Sequence, residues 1–176
     1  MNRCVPVIVV TCMLSAACAF VTAEETTDSP AGPSLAWYEK GLKFVDTMRY
    51  DEAIDCFDRA IDLDPNNEKA LFARGSTLLV VGRFEDAYQD LNRALAIDPT
   101  DASAYYVRGL VYEQANNYEN AAADYSSALK IDRDNVDYLY RRGLAYRELG
   151  KIDEALSDFR RACELGYEYA CDELRH

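Results

Sequence analysis

The sequence predicts an all-α solenoid of four two-helix repeats, closed by a short C-terminal capping helix. Three observations predict it. Gly41, Gly75, Gly109 and Gly143 stand 34 residues apart, and Ala53, Ala87, Ala121 and Ala155 keep the same step, as do Ala60, Ala94, Ala128 and Ala162. Twelve small residues in register define a repeat. Within each period, apolar residues recur at three- and four-residue steps on two successive segments, the pattern of paired amphipathic helices. Between the two alanine sets lies a large apolar residue, Phe57, Leu91, Tyr125 or Phe159, that fills the space beside a close helix crossing. No single hairpin can bury such faces alone, so its neighbours must stack on it.

The first element is an address. Met1-Asn2-Arg3 carries the α-amino charge and one Arg, the run Cys4 to Ala23 is uncharged, and the first acids are Glu24 and Glu25. Small residues at Val21-Thr22-Ala23 complete the three-part layout of a secretory signal over residues 1–23, with cleavage after Ala23. Two readings compete with cleavage. One is lipidation of Cys18, preceded by Ser15-Ala16-Ala17; the other is retention of the run as a single membrane anchor. All three export the chain, as a periplasmic or secreted protein in the first case. Residues 24–33 are polar with two prolines, Pro30 and Pro33, and read as a flexible leader.

The repeats follow as residues 34–67, 68–101, 102–135 and 136–169. In the first, Leu35 to Thr47 is amphipathic, Arg49-Tyr50 turns, and Asp51 to Leu63 is amphipathic again before Asp64-Pro65-Asn66-Asn67 breaks the chain. Pro65 and Pro99 stop the second helix of their units, since proline lacks the donor and clashes with the preceding turn. Further ladders, Tyr50/Phe84/Tyr118/Ile152 and Leu63/Ile97/Ile131/Leu165, keep the period and are expected among the buried faces. Arg133 replaces the proline in the third unit, which predicts a smoother passage into the fourth. Residues 170–176 remain for a cap, its helix drawn from Tyr167 onward.

Trp37, Gly41, Phe44, Ala53, Phe57, Ala60 and Pro65 carry the signature of a known family. The first unit resembles the tetratricopeptide repeat nearly in full, and the next three resemble it with substitutions. The resemblance implies a right-handed α-solenoid whose first helices line a concave surface that receives a segment of another protein. It places Tyr38, Phe72, Tyr106 and Tyr140 on the stripe facing that surface, with Leu42, Leu110 and Leu144 one turn further along. These seven residues are the expected partner-binding set, against the competing reading that the aromatics pack between units. Family members that clamp a terminal carboxylate use Lys and Asn at these places, so that specificity does not carry over.

Charge and residue inventory exclude other functions. The chain has 31 acids against 19 bases, a net charge of −12, the wrong balance for a nucleic-acid binder. Its one histidine, His176, is the last residue, which leaves no imidazole base or histidine metal site within the repeats. Asp132, Asp134 and Asp137 lack the Gly and Glu that a calcium loop needs at its sixth and twelfth places. The expectation is a non-enzymatic scaffold or adaptor without cofactor, binding a protein or peptide and no nucleic acid. Membrane contact is expected only if the N-terminal segment is retained or Cys18 is lipidated. The alternative is a structural spacer or assembly factor in a cell-envelope complex, with no use for the groove.

Two pairings are expected inside the fold. A basic residue precedes each repeat glycine (Lys40, Arg74, Arg108, Arg142), and Asp90, Asp124 and Asp158 lie sixteen residues after the arginines, with Cys56 replacing the acid where Lys40 replaces Arg. Paired replacement points to an Arg–Asp contact within the unit. Cys163 sits on the ladder of Ile61, Leu95 and Leu129, and Cys171 follows eight residues later in the cap. The segment CELGYEYAC resembles the cysteine-bridged helix pairs of certain exported bacterial solenoid repeats, which implies a Cys163–Cys171 disulfide. Two reduced, packed thiols are the alternative, and Cys56 has no evident partner.

Overall fold

A period of 34 residues holds two helices because two turn signals divide it. In the computed structural model, which describes residues 31–175, these become α1 (Ala31–Asp46), α2 (Tyr50–Leu63), α3 (Glu68–Val80), α4 (Phe84–Ile97), α5 (Ala102–Gln114), α6 (Tyr118–Ile131), α7 (Val136–Glu148), α8 (Ile152–Glu164) and α9 (Glu168–Glu173). The described residues contain no strand. Each odd helix packs on the even helix after it, and each even helix on the next odd one, which gives a stack of four hairpins with α9 against α8. The signal, its cleavage site and the leader up to Pro30 lie outside the described residues. Residues 31–33 of the expected leader instead begin α1. Pro33 falls in the first turn, where a missing N–H has no helical acceptor to lose.

Inside each unit the turn between helices is made by one residue in the left-handed region: Met48 (φ 58°), Gly82 (81°), Asn116 (55°) and Gly150 (72°). Between units, the second helix ends on an extended Asp: Asp64 (ψ 94°), Asp98 (95°) and Asp132 (94°). The third junction is therefore no smoother than the others, although Arg133 replaces the proline. Asp132 accepts a hydrogen bond from Asn135 Nδ2 at 3.1 Å, and Asn135 caps α7 through the backbone N–H groups of Asp137 and Tyr138. The caps set the turn, and proline only reinforces it.

Phe57, Leu91 and Tyr125 are fully buried, with Phe159 nearly so. Each sits opposite its unit's glycine. A Cβ at Gly41, Gly109 or Gly143 would run into the ring of Phe57, Tyr125 or Phe159. Two expected ladders are not buried. Ile152 is 52% exposed, Phe84 38%, and Leu63, Ile97, Ile131 and Leu165 lie between 38% and 46%. These residues stand at the ends of the second helices, with Leu165 one residue past α8, where the chain turns and fewer side chains surround them.

The expected Arg–Asp contacts are bidentate. Arg74 meets Asp90 at 2.7 Å through both Nε and Nη2, Arg108 meets Asp124 at 2.7 and 2.8 Å, and Arg142 meets Asp158 at 2.8 and 2.7 Å. Each guanidinium also reaches back to the preceding unit through Nη1: Arg74 to Asp58, Arg108 to Asn92 Oδ1 at 2.5 Å, and Arg142 to Ser126 Oγ at 3.1 Å. The carboxylates raise the ionisation of Arg74 further, so the guanidinium stays charged in its partly buried place. At the far end Cys163 and Cys171 are joined, with Cα atoms 4.8 Å apart, within the range a disulfide requires. Cys56 is free and buried.

Candidate functional site

Successive first helices approach one another, α1 with α3 and α3 with α5, which places them on the inner side of the curved stack. Residues at the fifth place of each unit therefore rise along one groove. All four are half-buried. Tyr38 leans on Phe57, its ring centroid 6.1 Å away. Phe72 packs against the clusters around Leu71 and Leu91. Tyr106 lies 5.8 Å from Tyr125 and 4.9 Å from Tyr138 of the next unit. Tyr140 lies 5.8 Å from Phe159 and 5.2 Å from Tyr167, and its hydroxyl donates to Glu173 Oε1 at 3.3 Å. The aromatics thus have a packing role in the structure, strongest at Tyr106 and Tyr140.

Three hollows follow the groove. One of about 380 Å³ is lined by Tyr38 and Phe72 with Glu68, Lys69, Asp98 and Asp101. A second of about 380 Å³ includes Leu79, Leu110, Glu113 and Arg141. A third of about 250 Å³ includes Leu144, Tyr118 and Arg147. Leu42 is 37% exposed on the same stripe, while Leu110 and Leu144 are half-buried. The structure brings Tyr38 and Phe72 to one hollow and gives Leu110 and Leu144 one each. Tyr106 and Tyr140 line none of the three.

Charges missed by the sequence reading shape these hollows. Burial, with Asp101 and Asp98 close by, pushes the Glu68 carboxyl above the usual range, and burial beside Glu68 raises Tyr38. Glu113, its side chain 14% exposed, pairs with Arg141 at 3.3 Å across the third and fourth units, and burial raises its carboxyl too. Behind it the Tyr125 hydroxyl is buried close to Glu113, and burial pushes its ionisation far upward. Arg147 bonds Glu173 of α9, so the cap closes the C-terminal end of the groove. The signal for Arg141, Glu113 and Arg147 was their place on the first helices, one or seven positions after the aromatic stripe, and for Glu68 its place four positions before it. No residue type marks it. Among the described residues no three side chains group as a metal site, and no helix is long and apolar enough to cross a membrane.

Profiles described as Tetratricopeptide repeat match residues 34–67, 72–136 and 106–167. Among solved structures, a crystal structure of MamA is 26% identical over 81% of this chain and 83% of that one, with a TM-score of 0.74. MamA 41-end from Desulfovibrio magneticus RS-1 is 25% identical, covering 79% of this chain and 76% of its own, at 0.71. The first TPR of Spaghetti (RPAP3), bound to the HSP90 peptide SRMEEVD, is 32% identical over 72% of this chain and 95% of that one, at 0.61. A comparison with curated proteins finds no match.

Proposed function

The chain belongs to the tetratricopeptide repeat family, and from that premise we propose that it is a non-enzymatic scaffold or adaptor whose concave groove holds a peptide or helix segment of a partner protein. One observation carries the reading. The aromatic stripe runs unbroken through all four units, half-buried throughout, beside hollows that take in Tyr38, Phe72, Leu110 and Leu144. A stripe used for packing alone would be covered. That Spaghetti holds a peptide on the same fold supports the assignment, although the groove places here carry aromatics where carboxylate-clamping members carry Lys and Asn. The chain is exported, the N-terminal run acting as the signal, and the net charge of −12 directs it away from nucleic acid.

The test uses the full chain as bait against the exported fraction of its cells. Leu42→Glu and Leu144→Glu place a charge on the stripe without removing a core ring. Both variants are expected to keep their helical circular dichroism and to lose the captured partner. Burying an apolar anchor at an interface centre is worth about 2 kcal/mol or more, so the loss is large. A folded double variant that retains its partner rejects the groove.

A further inference from the structure

At every internal junction one face is covered in the same way. The preceding second helix lays two apolar side chains seven residues apart over the first helix of the next unit, with a hydrogen-bond acceptor between them. Ile54 and Ile61 of α2 pack against Leu78 and Leu71, and Asp58 between them meets Arg74. Tyr88 of α4 meets Tyr112 edge-on at 5.5 Å, Leu95 seven residues later is buried, and Asn92 meets Arg108. Ala122 and Leu129 of α6 pack with Tyr146 and Leu139, and Ser126 meets Arg142.

The residues that correspond in the first unit are Trp37, Lys40 and Phe44. Among the described residues no helix covers them, since the elements packed on α1 are α2 and α3. All three line one trough of about 710 Å³ with Cys56, and the Lys40 ammonium lies 4.6 Å from the centre of the Trp37 ring. The chain's own repetition therefore describes the occupant. We propose that this open face is a second docking surface, distinct from the groove, and that it takes an amphipathic helix of a partner protein. That helix carries apolar residues at i and i+7 and a carboxylate or amide at i+4 facing Lys40. Glu52, Asp55, Asp58 and Asp62 line the trough against Lys40 and Arg59, so the helix carries basic residues on its flanks.

A second copy stacked end to end does not fit. On α8 the corresponding places hold Leu156, Arg160 and Cys163. Arg160 would set a like charge against Lys40, and Cys163 is tied to α9 through Cys171.

The chain's single tryptophan stands in the trough and reports on it. A synthetic peptide of residues 84–97 carrying Glu85→Lys and Gln89→Lys, which keeps the i, i+4, i+7 pattern as Tyr88, Asn92 and Leu95 and sets basic residues on its flanks, is titrated into the full chain while Trp37 emission is followed. The expected result is a saturable blue shift. A peptide with Asn92→Asp is expected to bind Lys40→Glu roughly tenfold more weakly than the wild-type chain, and a peptide with Asn92→Lys to lose binding to the wild-type chain and regain it with Lys40→Glu. Lys40 is exposed, and the peptide-side variants keep the test independent of the chain's folding. An emission unmoved by peptide, or binding indifferent to both charge changes, overturns the proposal. So does a photo-crosslinker at position 44 that captures residues 1–30 of its own chain, or a second copy, in place of the peptide.

Discussion

A methyl group added at Gly109 would fall inside the contact distance of the Tyr125 ring, while one at Gly75 would meet Leu91 Cγ at 3.0 Å. The difference decides two otherwise identical substitutions. Alanine is favoured over glycine within a helix by about 1 kcal/mol, and overpacking a core costs about 1–3 kcal/mol. Gly109→Ala is expected to lower stability by about 1–2 kcal/mol in urea titration, because a buried tyrosine ring has nowhere to turn. Gly75→Ala is expected to lie near zero, because a leucine side chain can shift by a few tenths of an ångström. Met48 gives the opposite sign. It is 76% exposed and holds the left-handed turn that Gly82 and Gly150 hold without strain. For a side chain that conformation costs roughly 1–2 kcal/mol. Met48→Gly, which also gains unfolded-state entropy, is expected to raise the thermal midpoint modestly, by about 0.5–1 kcal/mol of stability.

At the scale of the element, α9 is a six-residue helix, too short to persist by its own hydrogen bonds. Three attachments hold it: the Cys163–Cys171 bond, Ala170 buried against α8, and Glu173 bonded to Tyr140 and Arg147. Closing a loop of this length stabilises by about 2–3 kcal/mol on the chain-entropy model. Non-reducing peptide mapping is expected to find Cys163 and Cys171 in one linked species with Cys56 alkylatable after unfolding. Cys171→Ser is expected to speed hydrogen exchange in residues 168–173 while α1 to α6 keep their protection. Separate Cys163 and Cys171 peptides would refute the bond. The helices and the Arg–Asp pairs were legible because each rests on a repeated residue type at a fixed spacing. The exposed ends of the second helices were not. Period alone gives a residue's place on a helix, and coverage at that place depends on where the helix ends and the chain turns. The charged floor of the groove escaped for a related reason. Glu113 and Arg141 come from different units and do not repeat, so only the fold brings them together.

For the whole molecule, stability is the sum of similar units and similar junctions. Removing residues 102–135 would bring α4 against α7, with Leu95 facing Leu139, Tyr88 facing Tyr146 and Asn92 presented to Arg142 as it now is to Arg108. That shortened chain is expected to melt cooperatively at a lower midpoint, with helical circular dichroism per residue unchanged. Removing residues 102–131 keeps α4 and α7 whole and only lengthens the connection between them by four residues, so its melt is expected to stay cooperative with a midpoint close to that of the first deletion. The arginine that reaches backward has a further consequence, in the history such a chain can have. Because Arg74, Arg108 and Arg142 each carry one half of a junction whose other half lies in the unit before, a duplicated middle unit brings both halves with it and finds its neighbours already matched. The end units have no such inheritance. The first offers Lys40 and Cys56 where an arginine and an acid are needed, and the last offers Arg160 and a helix bolted across its face. A whole middle repeat can therefore be gained or lost with its junctions intact, whereas the first and fourth repeats each have one face that no copy of their neighbours would match.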